Sequence, residues 1–302
     1  MDDRVEAGKG GFTRASWVNV LGNAVKIVVE GAVGLAFGSV ALLADAAHSV
    51  ADLVASIVVL VWGRSSFDEP DDTHPHGHDR IEPLTALFVG AVIALLGLNL
   101  LYESAQGLVV GVEVVFSPLL FGALAFAIVD MYLVYWYTTR VNETLDSTAL
   151  EALATDCLND IYTSLAAVVG VIGVLLGHPI LDPLAGGLVS VLVIYQGVEI
   201  GRENVDYLIG AAADAEQRDE IARTLRDHPD VEGVHDLTVF YDGPVLEVEV
   251  HVEIDGDIPL RRAHDVESDL VDRLRAIEDV GDAHVHLDPS GIGEWKEQPD
   301  GS

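Results

Sequence analysis

Two pairs of ionisable side chains, His48 with Asp52 and Asp156 with Asp160, sit four residues apart inside strongly apolar runs. Residues at that spacing share one face of a helix about one turn apart, so each pair points the same way. A charge near the middle of a bilayer costs at least roughly 2.5–3.5 kcal/mol, and chains carry one there chiefly on ion or proton pathways. One imidazole and three carboxylates supply four donors, the usual coordination number of zinc. The plainer alternative is a polar clamp between helices. Against it, three carboxylates brought together repel one another unless protonated or neutralised by a cation. Neither run carries a lysine or arginine to do that. The pairs therefore predict a membrane protein that binds metal or protons.

The elements that must position them are long apolar helices. Six stretches of spanning length can be drawn, at 17–37, 40–62, 83–102, 117–137, 152–176 and 180–200, each near the roughly 20 residues a span needs. Gly177, His178 and Pro179 read as a stop and restart between the fifth and sixth. Arg4, Lys9, Arg14, Arg64, Arg80, Arg140 and Arg202 flank the spans, and all fall on one side of the implied membrane. By the positive-inside rule both termini are then cytoplasmic. Lys26 and Glu30 are four apart in the first span and could neutralise each other. Asp45 lies one turn outward of His48, where it could draw cations to the mouth. Asp130, Asn23 and Asn159 have no assigned part; Asn159 could bond Asp160 or another helix.

Composition divides the same way. Half of the residues are hydrophobic and the formal net charge is −33, with a mean hydropathy of +0.35. Both extremes cannot belong to one ordinary soluble domain. Of the 49 acidic residues, 25 lie from Gly210 onward, where no long apolar run occurs. So acidic a soluble part suits a salt-rich, halophile-like cytoplasm, in which salt screens the repulsion. It also argues against nucleic acid as a partner. The single cysteine, Cys157, excludes an intrachain disulfide framework and any multi-cysteine zinc site. Residues 1–11 are polar and lack a cleavage pattern, so no signal peptide is expected.

The connection between the second and third spans reads Asp71-Asp72-Thr73-His74-Pro75-His76-Gly77-His78. Loop histidines are often simply solvated. Asp71, His74 and His78 nevertheless have the ligand types and spacing of a surface zinc site. Beyond 210 the periodicity changes. Ile221 and Leu225 mark a short helix, and 234–241 and 245–253 read as two strands about the turn Asp242-Gly243-Pro244. Val266, Leu270, Leu274 and Ile277 mark a second helix, and 282–288 a third strand. The predicted architecture is an all-α transmembrane bundle of six helices followed by a small α/β domain of order αββαβ. Its expected divisions are a cytoplasmic tail at 1–16, a membrane domain at 17–209, a soluble domain at 210–290 and a polar, disordered tail at 291–302.

Most of the chain resembles a known family. The string from Ser39 to Asp52, together with the run from His74 to Leu87 and the Asp156–Asp160 pair, is similar to the cation diffusion facilitator family of divalent-metal transporters. The resemblance implies a homodimeric metal/proton antiporter with six helices and a ferredoxin-like cytoplasmic domain that mediates dimer contact. It also implies a binuclear zinc site in that domain, transferred onto His235, His251, His264, His286 and Asp288; His284 lies outside the match. Zinc members usually begin the fifth-span pair with histidine, whereas this chain has Asp156. Zn2+ is the expected cargo and regulator, with Mn2+, Fe2+ or Co2+ as oxygen-tolerant alternatives. The expected activity is efflux across the plasma membrane. A membrane-embedded metallohydrolase fits less well, because no His-Glu-x-x-His run or nucleophile constellation occurs. A membrane-anchored sensor would leave the intramembrane pairs without a use.

Overall fold

A computed structural model describes residues 2–37, 40–68, 70–111, 118–178, 180–277 and 279–291. The chain divides into two compact units, Met1–Val205 and Asp206–Ser302, and each is described by itself. The tail expected at 291–302 lies, beyond 291, outside the described residues, as does the side chain of Asp45.

The first unit is built from α1 (Asp2–Phe37), α2 (Val40–Trp62), α3 (Ile81–Val110), α4 (Pro118–Asn142), α5 (Thr148–Leu175) and α6, which starts at Leu181 and runs to Ile209. Helix α1 has 36 residues, about 54 Å at 1.5 Å per residue, well beyond the ~30 Å hydrocarbon core of a bilayer. Its first turns therefore continue past any span. Hydropathy marks where lipid must be faced and is blind to such an overhang, which is why the sequence placed the segment's start at 17.

Helix α1 is amphipathic in the inverse sense of a soluble helix. Ser16, Asn19, Asn23, Lys26 and Glu30, spaced three and four apart, are each at most 2% exposed, while Trp17, Leu21, Val25, Val28 and Leu35 are 44–75% exposed. Polar inside and apolar outside is the arrangement lipid selects, because the surrounding medium cannot satisfy a hydrogen bond. Asn19 donates to the Thr138 hydroxyl at 2.7 Å and Asn23 to the Ser56 hydroxyl at 3.1 Å, tying α1 to α4 and α2. Among the described residues, four helical segments are long and apolar enough to cross a membrane: His48–Phe67, Ile81–Val110, Phe121–Asn142 and Pro183–Ile209.

At the N-terminal end of α1, Phe12 is fully buried, with its ring 5.4 Å from that of Phe67. It fills a hollow that exists because residue 63 is glycine: a methyl group there would lie 2.5 Å from the Phe12 ring. Leu150, Leu153, Val59 and Val89 complete this apolar cluster. Helices α3 and α6 meet backbone to backbone. A methyl on Gly90 would lie 2.9 Å from the Gly197 carbonyl oxygen, and one on Gly197 2.6 Å from the Ala94 amide nitrogen.

The second unit holds α7 (Ala215–Arg226), β1 (Gly233–Asp242), β2 (Val245–Ile254), α8 (Leu260–Leu274) and β3 (Val280–Pro289). This is the expected order of helices and strands. Asp214 and Gln217 form a capping box that starts α7. The sheet runs β1-β2-β3, antiparallel between the first two and parallel between the last two. Parallel neighbours need a crossover, and α8 supplies it. Leu246, Val248, Val250, Val252 and Ile254 point to one face and are at most 4% exposed. Ile221 and Leu225 of α7 and Val266, Leu270 and Leu274 of α8 cover them, each such burial stabilising by about 1.5–3 kcal/mol. Period two then sends Glu247, Glu249, His251 and Glu253 to the other face.

Candidate metal centres

Helices α2 and α5 position the first centre. His48, Asp52 and Asp160 each offer one ligand atom, and these atoms lie within 4.8 Å of one another. Asp52 is 1% and Asp160 5% exposed. Asp156, the fourth expected donor, stands outside that tight group but lines the same small cavity, along with His48, Asn159, Asp160 and Thr163. Residues of α3, among them Ile93, Leu96 and Gly97, and Val193 of α6 close the cavity with apolar surface. The carboxylates are not left to one another. Lys26 Nζ lies 2.9 Å from Asp160 Oδ2, a pair whose side chains are 1% and 7% exposed. Along α1 the spacing offers Glu30 to Lys26, and the bundle adds an acid from α5. The buried three-four spacing on α1 was the available signal.

The second centre is the loop after α2. Ligand atoms of Asp71, His74 and His78 also lie within 4.8 Å. Asp71 Oδ1 accepts from the Thr73 hydroxyl at 2.6 Å and from the Thr73 and His74 amides at 2.7 Å. The Thr73 hydroxyl first, then these two amides, hold its carboxyl well below the usual range. The His74 and His78 rings are 4.6 Å apart. Lys9 of α1 anchors the loop through Asp68 at 2.6 Å. His76 is exposed and not part of the group.

The third centre lies on the polar face of the sheet, where His235, His251 and Asp288 come together within 4.8 Å. Asp236 adopts φ +47, and the β1–β2 register shifts between His235 and Thr238. This bulge leaves His235 directly opposite His251. His251 Nδ1 is 2.8 Å from Asp288 Oδ2, His235 Nε2 3.4 Å from the same oxygen, and His286 Nε2 3.3 Å from Oδ1. Partial burial opposes ionisation of Asp288, but the His251 hydrogen bond and the three imidazoles outweigh it and hold the carboxyl below its ordinary value. Glu253, 3.5 Å from His235, joins the group unforeseen, although strand alternation already placed it on that face. His264 does not join. It is 73% exposed on α8 and faces Glu267 at 3.5 Å. His284 pairs instead with Glu247 at 3.3 Å.

Buried carboxylates and imidazole among lipid-facing helices, with imidazole–carboxylate groups in a loop and a soluble unit, define a membrane protein that handles a cation. Residues 16–209 match the family model described as the cation efflux transmembrane domain, and 213–290 match that of the cation efflux protein, cytoplasmic domain. The chain belongs to the cation diffusion facilitator family. It is 28% identical to an uncharacterised transporter of Methanocaldococcus jannaschii over 90% of this chain and 96% of that one. It is 33% identical to metal tolerance protein C1 of Arabidopsis thaliana, over 87% of this chain and 59% of that protein. With manganese efflux system protein MneP of Bacillus subtilis the identity is 29%, over 85% and 89% of the two chains. The protein is thus a multi-pass membrane protein of a family of transporters that export divalent metal cations.

Proposed function

We propose that this protein exports a divalent transition metal from the cytoplasm in exchange for protons, binding the ion at His48, Asp52 and Asp160 with Asp156 as a further oxygen donor. The observation that carries this is the convergence of an imidazole and two carboxylates within 4.8 Å in a buried, lipid-surrounded setting. One nitrogen with up to three oxygens is harder than a nitrogen-rich zinc site and suits Mn2+. MneP and MneS, both named as manganese efflux proteins, support that order, with Zn2+, Fe2+ and Co2+ as lesser cargoes. Metal and proton compete for the same lone pairs, so protons arriving from outside release the metal and block its return. The six helices cross the plasma membrane with both termini cytoplasmic, as the flanking arginines and lysines favour. In that orientation the Phe12 cluster seals the cytoplasmic end, which supports alternating access by helix rocking.

The loop and sheet clusters bind the same metal from the cytoplasm, and the ferredoxin-like soluble domain joins two protomers. Exposed His264 is then free to serve a neighbouring chain. Metal that binds only the folded domain stabilises it by about 2.7 kcal/mol at roughly 100-fold above Kd, worth several °C in a domain of this size. Chelation of the purified protein therefore lowers the melting point of the soluble part, and His251→Ala makes it insensitive to chelator.

The test of transport is a proteoliposome with a pH dye in its lumen. Added Mn2+ enters and the lumen turns alkaline as protons leave, with Zn2+, Fe2+ and Co2+ slower in a competition series. Metal entry without a pH change removes the exchange; no entry of any of the four ions removes transport.

A further inference from the structure

Helix α5 begins where water does not reach its first amides. Ser147 is 3% exposed, and Ala149 and Leu150 are fully buried. The opening amides of a helix have no partner within it, so each needs an acceptor from outside the ladder. Two find one close by. The Ser147 amide donates to Asn142 Oδ1 at 2.8 Å, and the Leu150 amide to the Ser147 hydroxyl at 3.2 Å. The other two come to an acid from a different helix. Glu82, in the first turn of α3 and 8% exposed, meets the Thr148 and Ala149 amides and the Ser147 hydroxyl with its carboxyl. Its Oε1 has no hydrogen-bond partner among the described residues, so these contacts fall to the other oxygen.

A helix is normally capped by its own N-cap side chain, and Ser147 already fills that position. What Glu82 adds is a tie between two helices, with a carboxylate suited to the positive end of the α5 dipole. Those helices share the walls of the metal cavity, Ile93, Leu96 and Gly97 from α3 and Asp156 and Asp160 from α5. Asp156 follows Thr148 by eight residues, about 12 Å along the axis at 1.5 Å per residue. A helix held at its first turn keeps its height and rotation two turns on. Resting on the transport site of the preceding section, we propose that Glu82 is a positioning residue of transport. It clasps the start of α5 to the start of α3, and so holds Asp156 and Asp160 where they close on His48 and Asp52.

The experiment is steady-state Mn2+ flux in proteoliposomes for the wild type, Glu82→Ala, Glu82→Asp and Glu82→Gln, with the monodisperse fraction of each measured. Glu82→Ala removes the tie, and Glu82→Asp shortens it by one methylene. Both raise KM at least about tenfold and leave kcat within about threefold, on the scale of what a misplacement of about 1 Å costs a reacting site. Glu82→Gln keeps the reach and a carbonyl oxygen for the same donors. Its KM rises no more than about fivefold, which is what a charge at a helix terminus is worth. A residue that only stabilised the fold would reduce the number of working molecules, lowering kcat and leaving KM alone. The proposal is overturned if KM is unchanged in Glu82→Ala, if Glu82→Asp matches the wild type, or if Glu82→Gln raises KM as much as Glu82→Ala. Should Glu82→Ala give no monodisperse peak, the contrast between Glu82→Asp and Glu82→Gln decides alone. An Asp52→Asn control separates this reading from the one beneath it. If it is inactive while the Glu82 series leaves KM flat, the role of Glu82 alone falls; if it transports normally, the transport site falls and the role of Glu82 with it.

Discussion

Asp52→Asn reduces Mn2+ flux to the level of empty vesicles while the protein melts at or above the temperature of the wild type. The two halves of that expectation come from one structural fact. Asp52 is 1% exposed, and one of its oxygens lies within 4.8 Å of ligand atoms of His48 and Asp160. Partners behind a ligand commonly cost about 10–100-fold in affinity or activity when removed, so an anionic ligand itself costs more than about 100-fold. Asparagine has nearly the same volume and leaves no cavity. It also removes one of several carboxylates that repel one another in a buried place, and buried charges add little net stability. Sites kept for function hold strain that a neutral residue relieves. Flux measured beside a melting curve from the same preparation checks both halves. Wild-type flux would strip Asp52 of its role, and a collapse of the melting point would make it a structural residue.

Gly197→Val is expected to do the opposite and take the fold with it. The seam between α3 and α6 is set by glycines, and a side chain at 197 would meet the Ala94 amide nitrogen at 2.6 Å and the Gly90 carbonyl oxygen at 2.7 Å. Those neighbours are backbone, so no rotamer change can relieve the contact. Overpacking costs typically 1–3 kcal/mol, and with two main chains forced apart the cost here is at the top of that range, about 3 kcal/mol or more. Small residues matter at such seams because lipid offers no hydrophobic drive, and close packing supplies the attraction. The purified variant should lose its monodisperse peak in detergent or melt at least several °C lower. Gly122→Ala is the matched control, since nothing lies within 4 Å of a methyl at 122. A normal melting point for Gly197→Val would mean that the two helices are not held by this seam.

Much of the architecture could be read from periodicity. Alternation of Leu246, Val248, Val250 and Val252 with Glu247, Glu249, His251 and Glu253 gave β2 nearly to the residue, because a half-buried sheet writes its two faces into successive positions. The four-residue spacings of His48 with Asp52 and Asp156 with Asp160 gave helical faces for the same reason, and the fold brings three of those four side chains within reach of one another. What stayed hidden depends on long-range pairing. Nothing in the neighbourhood of Lys26 says that its partner lies on α5. Nothing around His235 says that a bulge at Asp236 sets it across from His251. Likeness to a family brought His264 into the sheet cluster, yet its place on α8 keeps it apart within one chain.

Helix α1 is unbroken from Asp2 to Phe37, and it carries both Lys9, bound to Asp68 beside the histidine loop, and Lys26, bound to Asp160. The two lysines stand about 25 Å apart on a rod with a rise of 1.5 Å per residue. Because the helix is continuous, the histidine loop and the buried carboxylate are fastened to one stiff element, a mechanical link that a flexible tether would not make.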